Sequence, residues 1–154
     1  MTFILTLIQN PLFVSGFMGW FVAQFVKTVI YLVMNKKLVL ERMFGNGGMP
    51  SSHAATVCGL LTAVGILYGA AGFEFSMALA FAIIVIHDAI GVRRETETQS
   101  RIINEMMAVL DKMGGSLSAE EKLKEFFGHT PFQVLIGAGL GIVTGFVVCF
   151  IMLE

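Results

Sequence analysis

The sequence contains little charge and only two cysteines. Charged residues make up 14% of its 154 positions, whereas a soluble domain usually has about 25%. Hydrophobic residues make up 56% of the chain, and its mean hydropathy is +0.81. The net charge of −1 argues against a nucleic-acid partner. Both cysteines, Cys58 and Cys149, lie inside apolar runs, which favours packing residues over a disulfide or a metal site.

Four apolar runs approach or reach the roughly 20 residues that a helix needs to cross a bilayer. They cover about residues 12–34, 54–71, 75–92 and 132–153. The sequence therefore predicts an all-α, polytopic helix bundle that forms one membrane domain over residues 1–154. The expected location is the cell membrane. A short helix at the membrane interface is expected over residues 1–9.

Basic residues indicate the orientation of this bundle. With four spans, the connections at 35–53 and 93–131 lie on one side of the membrane, and both termini lie on the other. All ten Lys and Arg residues fall on the first side or in helix ends that face it. The positive-inside rule therefore predicts that the first side is cytoplasmic and that both termini are outside.

The connection between the third and fourth spans is expected to form a cytoplasmic helical insertion at about 95–128. Apolar residues at helical spacing predict an amphipathic helix over 98–113. Ser118 and Glu121 form a capping box for a second helix at about 119–127. These helices would lie on the membrane surface, pack under the bundle or cover a functional site.

Polar residues collect at the predicted cytoplasmic ends of the spans. Gln24, Lys27 and Tyr31 share one face of the first span by their spacing. The other spans contribute three histidines, an acid and two arginines: His53, His87, Asp88, Arg93, Arg94 and His129. Ionisable groups at membrane depth are functional candidates by default, so we expect one shared site at this face.

The residue types at this face suit a phosphate group. Arginine offers a planar fork for phosphate oxygens, and lysine offers a point charge. The run at 47–53, GGMPSSH, opens a helix whose N-terminal N–H groups attract anions. Two histidines could divide the chemistry, one attacking phosphorus and the other protonating the leaving oxygen.

Several of these residues also have a purely structural interpretation. Lys27 could extend to the membrane interface, and Arg93 and Arg94 could be positive-inside anchors. His87 is better explained by packing or capping. A stripe of small residues on the fourth span predicts close helix packing, either within the chain or across a homodimer. The stripe consists of Gly137, Gly141 and Gly145.

Three stretches together resemble a known family. GGMPSSHAA resembles the second signature of the type-2 phosphatidic acid phosphatase and vanadium haloperoxidase superfamily, which is usually proline-serine-glycine-histidine. GHTPFQVLIGAGLG resembles the end of its third signature, and HDAIGVRRE points with them to the divergent branch of small membrane proteins. The resemblance covers about residues 24–145.

The resemblance implies roles for individual residues. His129 matches the nucleophile that forms a phosphohistidine, and His53 matches the acid that protonates the leaving group. Lys27 best matches the lysine of the first signature. The remaining phosphate ligands would be the Ser51 side chain, the backbone at Ser52, and Arg93 or Arg94, with Gly48 in a supporting position. The mechanism that the resemblance implies needs no metal, so we expect no metal and no other cofactor.

The sequence departs from the family pattern at two important positions. The usual arginine six residues before the nucleophile is Leu123 here, and the usual aspartate four residues after it is Gln133. Asp88 is our candidate for the missing carboxylate. The expected function is hydrolysis of a lipid phosphate, with membrane lipids as the surroundings. The alternative is a binding or transport protein that keeps the phosphate site without turnover.

Overall fold

The computed structural model describes residues 2–36, 48–113 and 130–154, which form six α-helices and no strand. The helices are α1 (Thr2–Ile8), α2 (Pro11–Asn35), α3 (Ser52–Tyr68), α4 (Phe73–Ile90), α5 (Val92–Lys112) and α6 (Pro131–Leu153). Three stretches are long and apolar enough to cross a membrane: α2, α6, and α4 with the part of α5 up to Leu110. The apolar α3 is shorter, at 17 residues. The predicted all-α membrane bundle is confirmed.

Two of the long helices begin at clear capping signals. The Asn10 side chain accepts a hydrogen bond of 2.9 Å from the Leu12 N–H, and Pro11 occupies the first helical position of α2. At the start of α6, Thr130 is the capping residue and Pro131 occupies the first helical position. These caps satisfy N–H groups that have no partner within the helix.

The central helix of the bundle is α3, which packs against α2, α4 and α6. Glycines allow the backbones to approach closely. A Cβ atom at Gly19 of α2 would lie 2.5 Å from the Ala55 carbonyl oxygen, and one at Gly59 of α3 would lie 2.8 Å from the Ser15 carbonyl oxygen. Such contacts are impossible for a larger residue without movement of a helix, so small residues determine the packing.

The glycine stripe of α6 faces α3 of the same chain. A Cβ atom at Gly137, Gly141 or Gly145 would lie 2.3, 2.3 or 2.7 Å from a backbone carbonyl oxygen within residues 51–59. The stripe therefore packs within the chain, which is one of the two alternatives left open by the sequence. A second copy could not use this surface for a homodimer without displacing α3.

The two cysteines also pack inside the bundle. Cys58 and Cys149 are free and buried, as expected from their apolar surroundings. The Cys149 sulfur lies 4.0 Å from the Ser15 hydroxyl oxygen, at the contact between α6 and α2.

Several helix boundaries differ from the sequence predictions, including the following three. The second span ends at Tyr68 rather than at residue 71, because Gly69 adopts a φ of +75° after it. The third span ends at Ile90 rather than at residue 92. The amphipathic α5 begins at Val92 instead of at residue 98, with only Gly91 between it and α4. The predicted helix at 119–127 lies outside the described residues.

The ends of three helices meet at one end of the bundle. Ala54 near the start of α3, Ala89 near the end of α4 and Val134 near the start of α6 are buried together in one cluster. This contact places the polar residues that flank these helix ends on the same side of the protein.

Candidate functional site

Ser51 connects the start of α3 to the start of α6. It is fully buried, and its N–H donates a hydrogen bond of 3.1 Å to the Gln133 carbonyl oxygen. Its hydroxyl oxygen accepts a bond of 3.4 Å from the Ala54 N–H and so caps α3. The hydroxyl that was predicted to bind phosphate therefore has a structural role at the helix start.

Lys27 lies beside the glycine that precedes this helix start. Its side chain is only 6% exposed, so it does not extend into solvent. A Cβ atom at Gly48 would lie 3.6 Å from Cδ and Cγ of Lys27, and Gly48 has a φ of +82°, which favours glycine. The structure thus brings the predicted lysine and the predicted phosphate-binding turn together.

The first turn of α3 contributes Ser52 and His53. Ser52 is 5% exposed, and its carbonyl oxygen accepts a hydrogen bond of 2.7 Å from the Thr56 hydroxyl. His53 is half-buried, and its Nδ1 atom is shielded from solvent. Backbone N–H groups at a helix start carry partial positive charge and are suited to an anion.

Asp88 brings a carboxylate to the same end of the bundle. It is half-buried on α4, directly before the buried Ala89 that packs against Ala54 and Val134. Its neighbour His87 is exposed, and the His87 carbonyl oxygen accepts a 2.8 Å hydrogen bond from the Gly91 N–H at the end of α4. The Asp88 carboxylate is therefore better placed than the His87 side chain to interact with polar groups at the start of α3.

Of the two predicted arginines, only Arg94 has a described side chain. Arg94 is exposed near the start of α5. For Arg93, only the backbone position in α5 is described. His129 lies outside the described residues, although Thr130, to which it is bonded, caps α6.

Gln133 forms a capping box with Thr130. The Thr130 N–H donates a hydrogen bond of 3.2 Å to Gln133 Oε1, and the Gln133 N–H donates one of 3.3 Å to the Thr130 hydroxyl oxygen. The side chain thus stabilises the start of α6. It provides no negative charge at the position where the family pattern has aspartate.

Two further polar residues of α2 are buried close to Lys27, and Gln24 is the one that the sequence places on the same helix face as this lysine. Gln24 is 4% exposed, and no described residue donates a hydrogen bond to its buried Oε1 atom. Thr28 is 9% exposed, but its hydroxyl donates a bond of 2.9 Å to the Gln24 carbonyl oxygen. The three-residue spacing between Gln24 and Lys27 was the available signal.

Within the described ranges, no three His, Cys, Asp or Glu side chains come close enough together to hold a metal ion. The absence of a cofactor stays a prediction, because His129 is not among these residues.

Comparison with known proteins gives two matches and one negative result. The sequence profile of the family described as "Divergent PAP2 family" matches residues 8–144. The chain is 31% identical over 153 residues to the uncharacterized membrane protein YuiD of Bacillus subtilis, covering 94% of this chain and 97% of the relative. No solved structure matches the chain.

Proposed function

The chain belongs to the divergent PAP2 family, and we propose that it hydrolyses a lipid phosphate at the cytoplasmic face of the cell membrane. The observation that carries this proposal is Lys27, a buried lysine beside Gly48 in the turn that leads into α3. A lysine at this depth marks a functional position by default. Substrates of the expected class are phosphatidylglycerophosphate, phosphatidate and prenyl phosphates.

In the proposed reaction, an imidazole nitrogen of His129 attacks phosphorus and forms a phosphohistidine. The bond from phosphorus to the lipid oxygen breaks, and His53 donates a proton to that oxygen so that it leaves as an alcohol. Water then attacks phosphorus, its proton passes to His53, and the bond between phosphorus and the His129 nitrogen breaks, which releases inorganic phosphate and restores both histidines. Lys27 and the first N–H groups of α3 stabilise the charge on the phosphoryl oxygens.

The test is phosphate release by the purified protein from a panel of lipid phosphates, without added metal. We expect His129→Ala to abolish both release and the trapping of a phosphoenzyme from a labelled substrate. His87→Ala is the matched control, because His87 is exposed and has no part in the proposed reaction. Unchanged release by His129→Ala would contradict the phosphohistidine mechanism.

A second candidate function is binding or transport of a phosphate lipid without hydrolysis. The feature that favours it is Gln133, because an uncharged amide engaged in a capping box cannot stabilise a charged imidazolium as aspartate can. Saturable binding of a lipid phosphate by wild-type protein that releases no phosphate would support this function over hydrolysis.

A further inference from the structure

Gln24 has a buried acceptor atom at the level of the site. Its side chain is 4% exposed, and among the described residues no donor reaches Oε1. A buried amide oxygen without a hydrogen bond costs free energy. In a native structure, such an atom calls for an explanation, and a bound group is one of the recognised ones.

The position of Gln24 along α2 can be fixed from two contacts. Closer to the start of α2, a Cβ atom at Gly19 would clash with the backbone of Ala55, and closer to its end, the Lys27 side chain lies within van der Waals reach of a Cβ atom at Gly48. Gln24 lies between these contacts and therefore at the level of the start of α3. Residues three apart on a helix have Cβ atoms about 5–6 Å apart, so one phosphate group can contact both Gln24 and Lys27.

We propose that Gln24 Oε1 accepts a hydrogen bond from the P–OH group of a bound phosphate monoester and so selects monoesters over diesters. This inference rests on the proposed function. An ionised phosphodiester has no P–OH group, whereas the monoanion of a monoester has one. Lys27 attracts both ligands through their charge, but only the monoester offers a proton to the amide oxygen.

The test compares two ligands of equal charge. At pH 5, below the second phosphate pKa of about 6, a short-chain phosphatidate is mostly a monoanion, as is the corresponding phosphatidylmethanol. Both ligands then meet the same protonation states of Lys27, His53 and Asp88. Binding is measured by calorimetry on the detergent-solubilised His129→Ala protein, because this substitution prevents hydrolysis of the monoester during the measurement. We expect the monoester to bind up to about tenfold more tightly, as one net hydrogen bond to a neutral acceptor provides.

Two variants then assign the preference to the amide. Gln24→Met keeps the side-chain volume but lacks the acceptor, and should weaken monoester binding about tenfold while changing diester binding less than about twofold. Thr28→Val is the matched control, because Thr28 is buried one turn away and its hydroxyl already bonds the Gln24 carbonyl oxygen. It should change neither affinity.

Equal affinity of the Gln24-containing protein for the two ligands would overturn the inference, whether or not the Gln24→Met protein folds. An unchanged ligand ratio in folded Gln24→Met protein would also overturn it, since Oε1 would then serve only structure or water. Failure of the proposed function looks different. In that case, wild-type protein releases no phosphate, while the monoester preference and its loss in Gln24→Met persist.

Discussion

Replacing Gly141 by alanine should push α6 away from α3, because the new methyl group has no room. A Cβ atom there would lie 2.3 Å from the Ala55 carbonyl oxygen, and ordinary contacts of this kind begin at 3.4 Å. The shortfall is about 1.1 Å (3.4 − 2.3). The clashing atoms belong to the backbone of the central helix, so no side-chain rotation relieves the contact.

The expected cost is about 1–3 kcal/mol, as for other insertions into a packed core. Alanine has a higher helix propensity than glycine by about 1 kcal/mol, which offsets part of that cost. Gly139→Ala is the matched control on the same helix, because a Cβ atom at Gly139 would have nothing within 4 Å. Gly139→Ala should therefore be neutral or slightly stabilising.

Thermal unfolding in detergent measures the difference. At about 2–4 °C per kcal/mol for a chain of this size, Gly141→Ala should unfold several degrees below Gly139→Ala. If Gly141→Ala instead unfolds at the same temperature as Gly139→Ala or above it, the direct backbone contact between α3 and α6 is refuted. The assignment of the glycine stripe to packing within the chain would then be refuted with it.

Three further predictions concern orientation and chemistry. In intact cells, an impermeant thiol reagent should label Glu154→Cys but not Lys112→Cys, and the reverse pattern would contradict a cytoplasmic site. His53→Ala should slow the release of a lipid alkoxide by about 10²–10⁴-fold but slow the release of a nitrophenolate much less, because a good leaving group needs little protonation. Equal losses of steady-state rate with the two substrates would contradict the role of His53 as the acid. Gln133→Asp should keep or raise the rate of phosphate release, since a carboxylate next to His129 can stabilise the charged imidazolium. A large loss of phosphate release by the folded variant would show that the neutral amide is required.

Much of the bundle could be predicted from the sequence because apolar length and capping residues act locally. The start of α2 after Asn10 and the start of α6 after Thr130 follow from side chains that bond nearby N–H groups. The start of α5 was predicted too late, because hydropathy falls at Arg93 while helix formation continues. The hydropathy pattern indicates where the apolar part of a helix ends, but it does not indicate where the helix itself ends or a new helix begins.

The site was harder to predict in detail for a similar reason. Lys27 and Gly48 could be assigned to one candidate site in advance, Lys27 through the family resemblance and Gly48 as a supporting residue. The burial of Gln24 could not be predicted, because an amide at that spacing on an isolated helix is equally compatible with an exposed surface. Its 4% exposure depends on tertiary contacts. The capping role of Gln133 could have been recognised from Thr130 three residues before it, a spacing typical of a capping box.

The depth of the site follows from the short central helix. With 17 residues, α3 spans about 25 Å, whereas the hydrocarbon core of a bilayer is about 30 Å thick. Lys27 lies eight residues before the end of α2 at Asn35, which corresponds to about 12 Å along the helix. The glycine contacts surround the start of α3 with protein, so its polar groups can lie at this depth without facing lipid chains. Both proposed functions place the phosphate of a membrane lipid at this arrangement of α2 and α3. The proposed hydrolysis would depend in addition on a negative charge beside His129, where the sequence has Gln133 and the family pattern has aspartate. The two proposed functions therefore share one binding site and differ in whether Asp88 or another group supplies that charge.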